Sequence, residues 1–145
     1  MPDIDDPFAL KRFLEAQEDV YAQALSELRN GRKRSHWIWY IFPQLDGLGS
    51  SATSKFYAIK SMEEARRYLD HPALGARLKE CAEAVLAVTG SSVSDIFGYP
   101  DNLKFRSSMT LFSLIAGGDS VFGRILDKYF NGKPDERTVE LARQL

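Results

Sequence analysis

Pro72-Ala73-Leu74-Gly75-Ala76-Arg77-Leu78-Lys79-Glu80-Cys81-Ala82-Glu83-Ala84-Val85-Leu86-Ala87-Val88 is the stretch whose reading decides the fold. Leu74, Leu78, Cys81, Val85 and Val88 recur at 4-3-4-3 spacing. An α-helix places such positions on one face, so the five side chains form a single apolar stripe. Pro72 suits the first turn, where a missing N–H leaves no bond unmade. His71, standing before proline, is driven out of the α region and closes the preceding helix. Thr89-Gly90 ends the segment.

Upstream, Ser61-Met62-Glu63-Glu64 has the form of a capping box, with Met62, Ala65 and Leu69 as the buried stripe behind it. Asp6-Pro7 offers an N-cap followed by proline. Val20, Ala24, Leu25 and Leu28 form a stripe with Tyr21 beside it, and Asn30-Gly31 supplies a left-handed stop. One helix from Pro7 to Arg29, or two with a break near Gln17, both satisfy this pattern. Downstream of Gly98-Tyr99-Pro100, Asp101 is expected to cap a helix that buries Phe105, Met109 and Phe112. Ser120 is expected to cap another, with Phe122, Leu126 and Tyr129 inside and Asn131-Gly132 at its end. Asp135 caps a last one carrying Thr138, Ala142 and Leu145. Trp37–Phe42 alone has strand character, and so short an apolar run is not distinguishable from a buried helical turn by periodicity. The expected fold is all-α: a single compact multi-helix domain over residues 1–145, with at most one short strand-like segment.

Composition agrees with this. Hydrophobic residues make up 44% and charged residues 27% of 145, a globular balance with enough chain for its own core. A net charge of −1 exerts no global pull toward nucleic acid or an anionic membrane. Cys81 is the single cysteine, so no intramolecular disulfide and no thiolate cage can form, and its place on the apolar stripe marks an inert buried thiol. With only His36 and His71 besides, a dedicated zinc site is not expected, and no cofactor is implied. The opening Met1-Pro2-Asp3-Ile4-Asp5-Asp6 is acidic where a signal peptide would be basic. The run Trp37–Pro43 is far too short to span a bilayer. The expected setting is therefore the cytoplasm, away from membranes, with the oligomeric state left open.

Two segments exceed what a plain helical core requires. The first runs from Gly31 to Ser50 and contains Arg32, Lys33, Arg34, His36, Trp37, Trp39, Gln44, Gly47, Gly49 and Ser50. Aromatic faces beside cations hold flat anionic ligands, the ring stacking and the cation meeting phosphate or carboxylate. The plainer alternative makes Trp37, Trp39 and Phe42 core anchors and lets the basic trio meet the negative end of a helix dipole. The second segment is Lys104-Phe105-Arg106-Ser107-Ser108-Met109-Thr110. Lys104, Ser107 and Ser108 share a helix face near an N-terminus that favours anions. The alternative is a polar face whose serines bond carbonyls one turn earlier. No catalytic constellation is complete: there is no G-x-S-x-G motif, and among the carboxylates only Asp95 and Asp101 stand out, flanking the Phe97–Pro100 turn.

Several strings together resemble a family. Gly31-x-Lys33-x-Ser35-His36-Trp37-x-Trp39-x-x-Phe42-Pro43-Gln44-Leu45-x-Gly47-Leu48-Gly49 is similar to a signature of domain of unknown function 1810, a mostly bacterial family. Further matches are Tyr57-Ala58-Ile59, His71-Pro72-x-Leu74-Gly75-x-Arg77-Leu78, Ile96-Phe97-Gly98-x-Pro100-Asp101 and Lys104-x-x-Ser107-Ser108-Met109-Thr110. The resemblance covers nearly the whole chain and implies a helical single-domain fold with no established activity. Members have been labelled calpastatin, but calpastatin's inhibitory units are largely disordered, whereas this composition folds. Around Thr89-Gly90 and Asp95–Gly98 the chain also resembles NADAR, a helical family linked to NAD and ADP-ribose.

The leading expectation is a site for an anionic, nucleotide-like small ligand where the two segments meet. Lys33, Trp37, Trp39, Gln44, Gly47, Gly49, Ser50, Lys104, Ser107 and Ser108 would bind it. If the ligand is hydrolysed, His36 is the candidate general acid/base. The alternative is a protein–protein interaction module without catalysis, docking through exposed aromatics. A single-strand RNA platform built on Arg32–Arg34 is a third reading, against which the net charge counts.

Overall fold

The stripe on Leu74–Val88 is borne out. In a computed structural model that describes residues 4–145, Leu74–Ala87 is helical and buries Leu74, Leu78, Cys81, Ala82 and Val85. The opening residues Met1-Pro2-Asp3 lie outside the described part. Ten helices and no sheet make up the described residues. They are α1 (Lys11–Gln17), α2 (Tyr21–Arg29), α3 (Ile38–Ile41), α4 (Ala52–Tyr57), α5 (Met62–Asp70), α6 (Leu74–Ala87), α7 (Val93–Phe97), α8 (Asp101–Ala116), α9 (Val121–Phe130) and α10 (Glu136–Arg143). No helix among them is long and apolar enough to cross a membrane.

α6 and α8 form the centre: α6 lies against α2, α5 and α9, and α8 against α9, α10, α5 and α7. Their buried side chains join one hydrophobic cluster. A Cβ on Gly75 would lie 1.9 Å from the Leu69 carbonyl oxygen, so only glycine permits the tight passage from α5 into α6. Burial pushes the Cys81 thiol up to about 12, with the Glu80 carboxylate adding to the shift, so thiolate is scarce near neutrality.

Several helix ends follow the sequence signals. Ser61, Ser120 and Asp135 accept the N–H groups of Glu64, Gly123 and Thr138, and Asn131 and Gly132 close α9 with φ of 56° and 73°. Others depart from them because a tertiary partner competes. Glu64 does not return to Ser61: one carboxylate oxygen accepts the Lys60 N–H at 3.0 Å and the other pairs with Arg12 at 2.7 Å. Asp6 caps at longer reach, accepting the Leu10 and Lys11 N–H groups, so Pro7 stays outside α1. The His71 ring caps α6 through Nδ1, accepting from Ala73 and Leu74. Asp101 is the first residue of α8 rather than its cap. Ile38–Ile41 is a helical turn, not a strand; an isolated bridge pairs Leu45 with Ile59.

The break between α1 and α2 follows from Gln17, which is turned into the core. Its amide donates to the Tyr40 carbonyl at 2.7 Å and the Tyr68 hydroxyl at 3.0 Å, and accepts from Arg77 at 3.3 Å.

Glu27 on α2 organises the chain that follows it. It is only 6% exposed. One carboxylate oxygen accepts the Arg34 N–H at 2.7 Å, the Ser35 N–H at 3.0 Å and the Trp37 indole N–H at 3.0 Å. The other accepts the Ser35 hydroxyl at 2.7 Å and the Gln23 amide at 3.0 Å. Burial alone would raise its pKa, but the bonds from Arg34, Ser35 and Trp37 outweigh burial and hold it at about 2. Because the folded pKa lies below the ordinary value of 4.5, this stabilisation is complete above that pH and lost as pH falls toward 2. Glu27→Gln should therefore cost about 3 kcal/mol at neutral pH. It should also flatten the acid limb of stability, measured by urea unfolding of both proteins across that window. A variant with an acid limb as steep as wild type would assign that limb to other carboxylates.

Candidate functional site

The Glu27 carboxylate delivers the Lys33–Trp37 stretch to the start of α8. The Lys33 N–H bonds the Ile96 carbonyl at 2.7 Å. Its ammonium is buried, pairing with Asp101 at 2.8 Å, donating to the Ser35 carbonyl and lying 5.0 Å from the Trp37 ring centroid. Trp37 is fully buried and packs against Phe42, so it is a core anchor and not a stacking platform. This corrects the expectation of a tryptophan-lined ligand face: the Glu27 bond fixes the indole edge inward. With Lys33 paired inside and Trp37 in the core, the basic trio and the tryptophans do not form one surface. Arg32 and Arg34 are exposed.

Trp39 is half-buried. The Lys104 ammonium sits 5.1 Å from its ring centroid, and its indole nitrogen is buried without a hydrogen-bond partner. Beyond α3, the Ile59 N–H to the Gln44 carbonyl and the Asp46 N–H to the Ile59 carbonyl pin the Gln44–Asp46 segment. Gly49 lies close enough to α4 that a Cβ would stand 2.6 Å from the Ser54 side chain.

These constraints leave a cleft of about 260 Å³ between the Gln44–Gly49 loop and α8. Its walls are Gln44, Leu48, Gly49, Pro100, Leu103, Lys104, Arg106, Ser107 and Asp135. At 3.6 residues per turn, Lys104 and Arg106 are about 200° apart on α8, so they reach the cleft from opposite flanks of Leu103 and Ser107. Lys104 has one long hydrogen bond, 3.4 Å to Asp101, whose other oxygen is held more closely by Lys33. The Gln44 side-chain amide makes no hydrogen bond among the described residues. The Asp135 carboxylate, by contrast, accepts from the Thr138 N–H, the Thr138 hydroxyl and the Ser107 hydroxyl.

The structure thus brings Gln44, Gly49, Lys104 and Ser107 to one cleft. Ser107 also bonds the Leu103 carbonyl at 3.1 Å, as the back-bonding alternative requires. Ser108 lies beneath, fully buried, with its hydroxyl unpartnered. Lys33 and Trp37 stand behind the cleft and reach it only through Asp101 and the core. Gly47, with φ of 101°, and the exposed Ser50 do not line it. Neither does His36, which is exposed and whose carbonyl accepts the Tyr40 hydroxyl at 3.4 Å. The α8 N-terminus is not an open anion seat either, because Gly98 and Pro100 carbonyls accept the N–H groups of Asn102, Leu103 and Lys104. Sequence reading missed Arg106 and Asp135. Arg106 lies off the Lys104 face, and Asp135, read as a cap, comes from a distant helix. Among the described residues no group of histidine, cysteine, aspartate and glutamate could hold a metal ion.

A family model described as a protein of unknown function, DUF1810, matches residues 7–142. The chain belongs to this DUF1810 family. The crystal structure of the conserved hypothetical protein Rv1873 from Mycobacterium tuberculosis is similar to it at 53% identity and a TM-score of 0.92, over 94% of this chain and 97% of the other. No curated protein is significantly similar. The family and this neighbour carry the helical fold without assigning it an activity.

In this DUF1810 chain the two aromatic-segment residues His36 and Trp37 should differ sharply. Removing the exposed imidazole by His36→Ala should change stability by less than about 0.5 kcal/mol, whereas Trp37→Ala should cost about 3–5 kcal/mol. Thermal and urea unfolding of both variants checks this; a strongly destabilised His36→Ala would mean that the ring is packed.

Proposed function

We propose that this DUF1810 protein binds a small anionic molecule, seating a phosphate or carboxylate group between Gln44 and Lys104. The observation that carries the reading is a pair of cations on opposite flanks of one cleft, with an unpaired amide on the facing wall. Such donors are worth most when other groups already hold them in place, and Trp39 and Asp101 hold the Lys104 ammonium. A volume of about 260 Å³ lies below the usual range for whole drug-sized ligands, so the cleft suits the charged end of a molecule. The rest of a nucleotide-like ligand would lie over Leu48, Pro100 and Leu103. The reading is of binding rather than hydrolysis, since His36 lies outside the cleft. It treats the chain as one domain acting in the cytoplasm.

A wider cleft of about 490 Å³ near α1 and α5 supports this function less well. Asp5, Asp6 and Asp70 line it, opposed by Lys11 and Arg67, and Asp6 and His71 there serve as helix caps.

Thermal-shift measurements with inorganic phosphate, citrate and a nucleoside monophosphate test the proposal. A ligand at a hundred times its dissociation constant stabilises by about 2.7 kcal/mol. Lys104→Met keeps the stem but removes the charge. It should weaken anion binding by about 1.5–3 kcal/mol while changing folding stability by less than about 1 kcal/mol. Equal binding by wild type and variant would overturn the assignment.

A further inference from the structure

A second cleft, of about 540 Å³, adjoins the first and shares two walls with it, Arg106 and Asp135; Lys133, Pro134, Glu136 and Arg137 complete it. Arg106 is fixed at the boundary. Its Nε and Nη2 groups donate to the Lys133 carbonyl at 3.1 and 2.9 Å, and its guanidinium stands 5.4 Å from the Phe130 ring centroid. These bonds engage two of the five guanidinium N–H donors, so three remain on a cation tethered to that carbonyl. The acid at the shared wall, Asp135, takes the Thr138 N–H, the Thr138 hydroxyl and the Ser107 hydroxyl on Oδ2 and keeps its negative charge; in the second cleft it and Glu136 face Arg106, Lys133 and Arg137. The Lys133 and Arg137 side chains form no ion pair among the described residues, and Glu136 is the one further acid of the second cleft.

We propose that the ligand of this protein carries two anionic groups: one seated by Gln44 and Lys104, the other by Lys133 and Arg137, with Arg106 contacting both. This rests on the first cleft being an anion site. A fixed cation between two charged clefts rewards a molecule that presents both groups at once, because the second contact is then intramolecular and orders little new side chain. The chemical class is a bisphosphate or a dicarboxylate, spaced so that its two charges straddle Arg106.

Isothermal titration of the full chain at fixed ionic strength tests this with four probes: inorganic phosphate, pyrophosphate, fructose 1,6-bisphosphate and succinate. The best bis-anion should bind at least about tenfold tighter than phosphate, and whether it is a phosphate or a carboxylate identifies the source chemistry. Arg137→Gln should reduce that bis-anion to the phosphate level and leave phosphate affinity unchanged. Arg124→Gln, an exposed arginine on α9, controls for net charge and should change neither. Lys104→Met should weaken every probe. If phosphate binds but no bis-anion binds tighter, or if Arg124→Gln matches Arg137→Gln, the bridging proposal falls and the first-cleft reading stands. If no probe binds, or Lys104→Met leaves phosphate affinity intact, the first-cleft reading falls and takes the bridging proposal with it.

Discussion

Glu27 is buried yet ionised, and the chain from Gly31 to Trp37 takes its path because five donors converge on that carboxylate. A charge withdrawn from water is tolerated only when its lone pairs are filled, and here two backbone N–H groups, a hydroxyl, an amide and an indole fill them. The consequences run downstream. With the indole edge fixed inward, Trp37 enters the core, Lys33 swings under it to reach Asp101, and α3 follows at once. The Gln44 loop continues from this anchor and is pinned by its backbone bonds to Ile59.

Asp101 then sets the electrostatics of the cleft. Its two oxygens serve two lysines unequally, at 2.8 Å to the buried Lys33 and 3.4 Å to Lys104. Lys104, held at the longer distance, rests its ammonium on the Trp39 ring and faces the cleft. Arg12 makes a comparable bridge on the far side of Gln44–Ile59. Its guanidinium donates to the Phe8, Ala9, Phe56 and Ala58 carbonyls and pairs with Glu64, tying α1 to the end of α4 and to α5. Buried charge is therefore structural at Glu27, Lys33 and Arg12, whereas Lys104, only loosely paired, faces the cleft.

The DUF1810 fold recurs in the mycobacterial relative at 53% identity over nearly all of both chains. Shared architecture at that level carries no activity with it, because function resides in a site and not in a stack of helices. In the proposed anion site the residues that would carry it are few: Gln44, Lys104 and Arg106.

Local chemistry in the sequence determined much of the helical frame. The stripe on α6, the serine and aspartate caps of α5, α9 and α10, and the left-handed stop at Asn131-Gly132 depend on neighbours within a few residues, so one chain read alone discloses them. It also singled out the two segments whose Gln44, Gly49, Lys104 and Ser107 come together. Only the tertiary structure decided where side chains with competing partners went. Gln17 breaks a helix by turning toward Tyr40 and Tyr68, Glu64 leaves its capping box for Arg12, and Trp37 is sealed inside while His36 beside it faces water. Neighbouring residues carry no signal of a partner 20 to 60 positions away, and a polar or aromatic side chain goes where its hydrogen bonds and buried area are best satisfied.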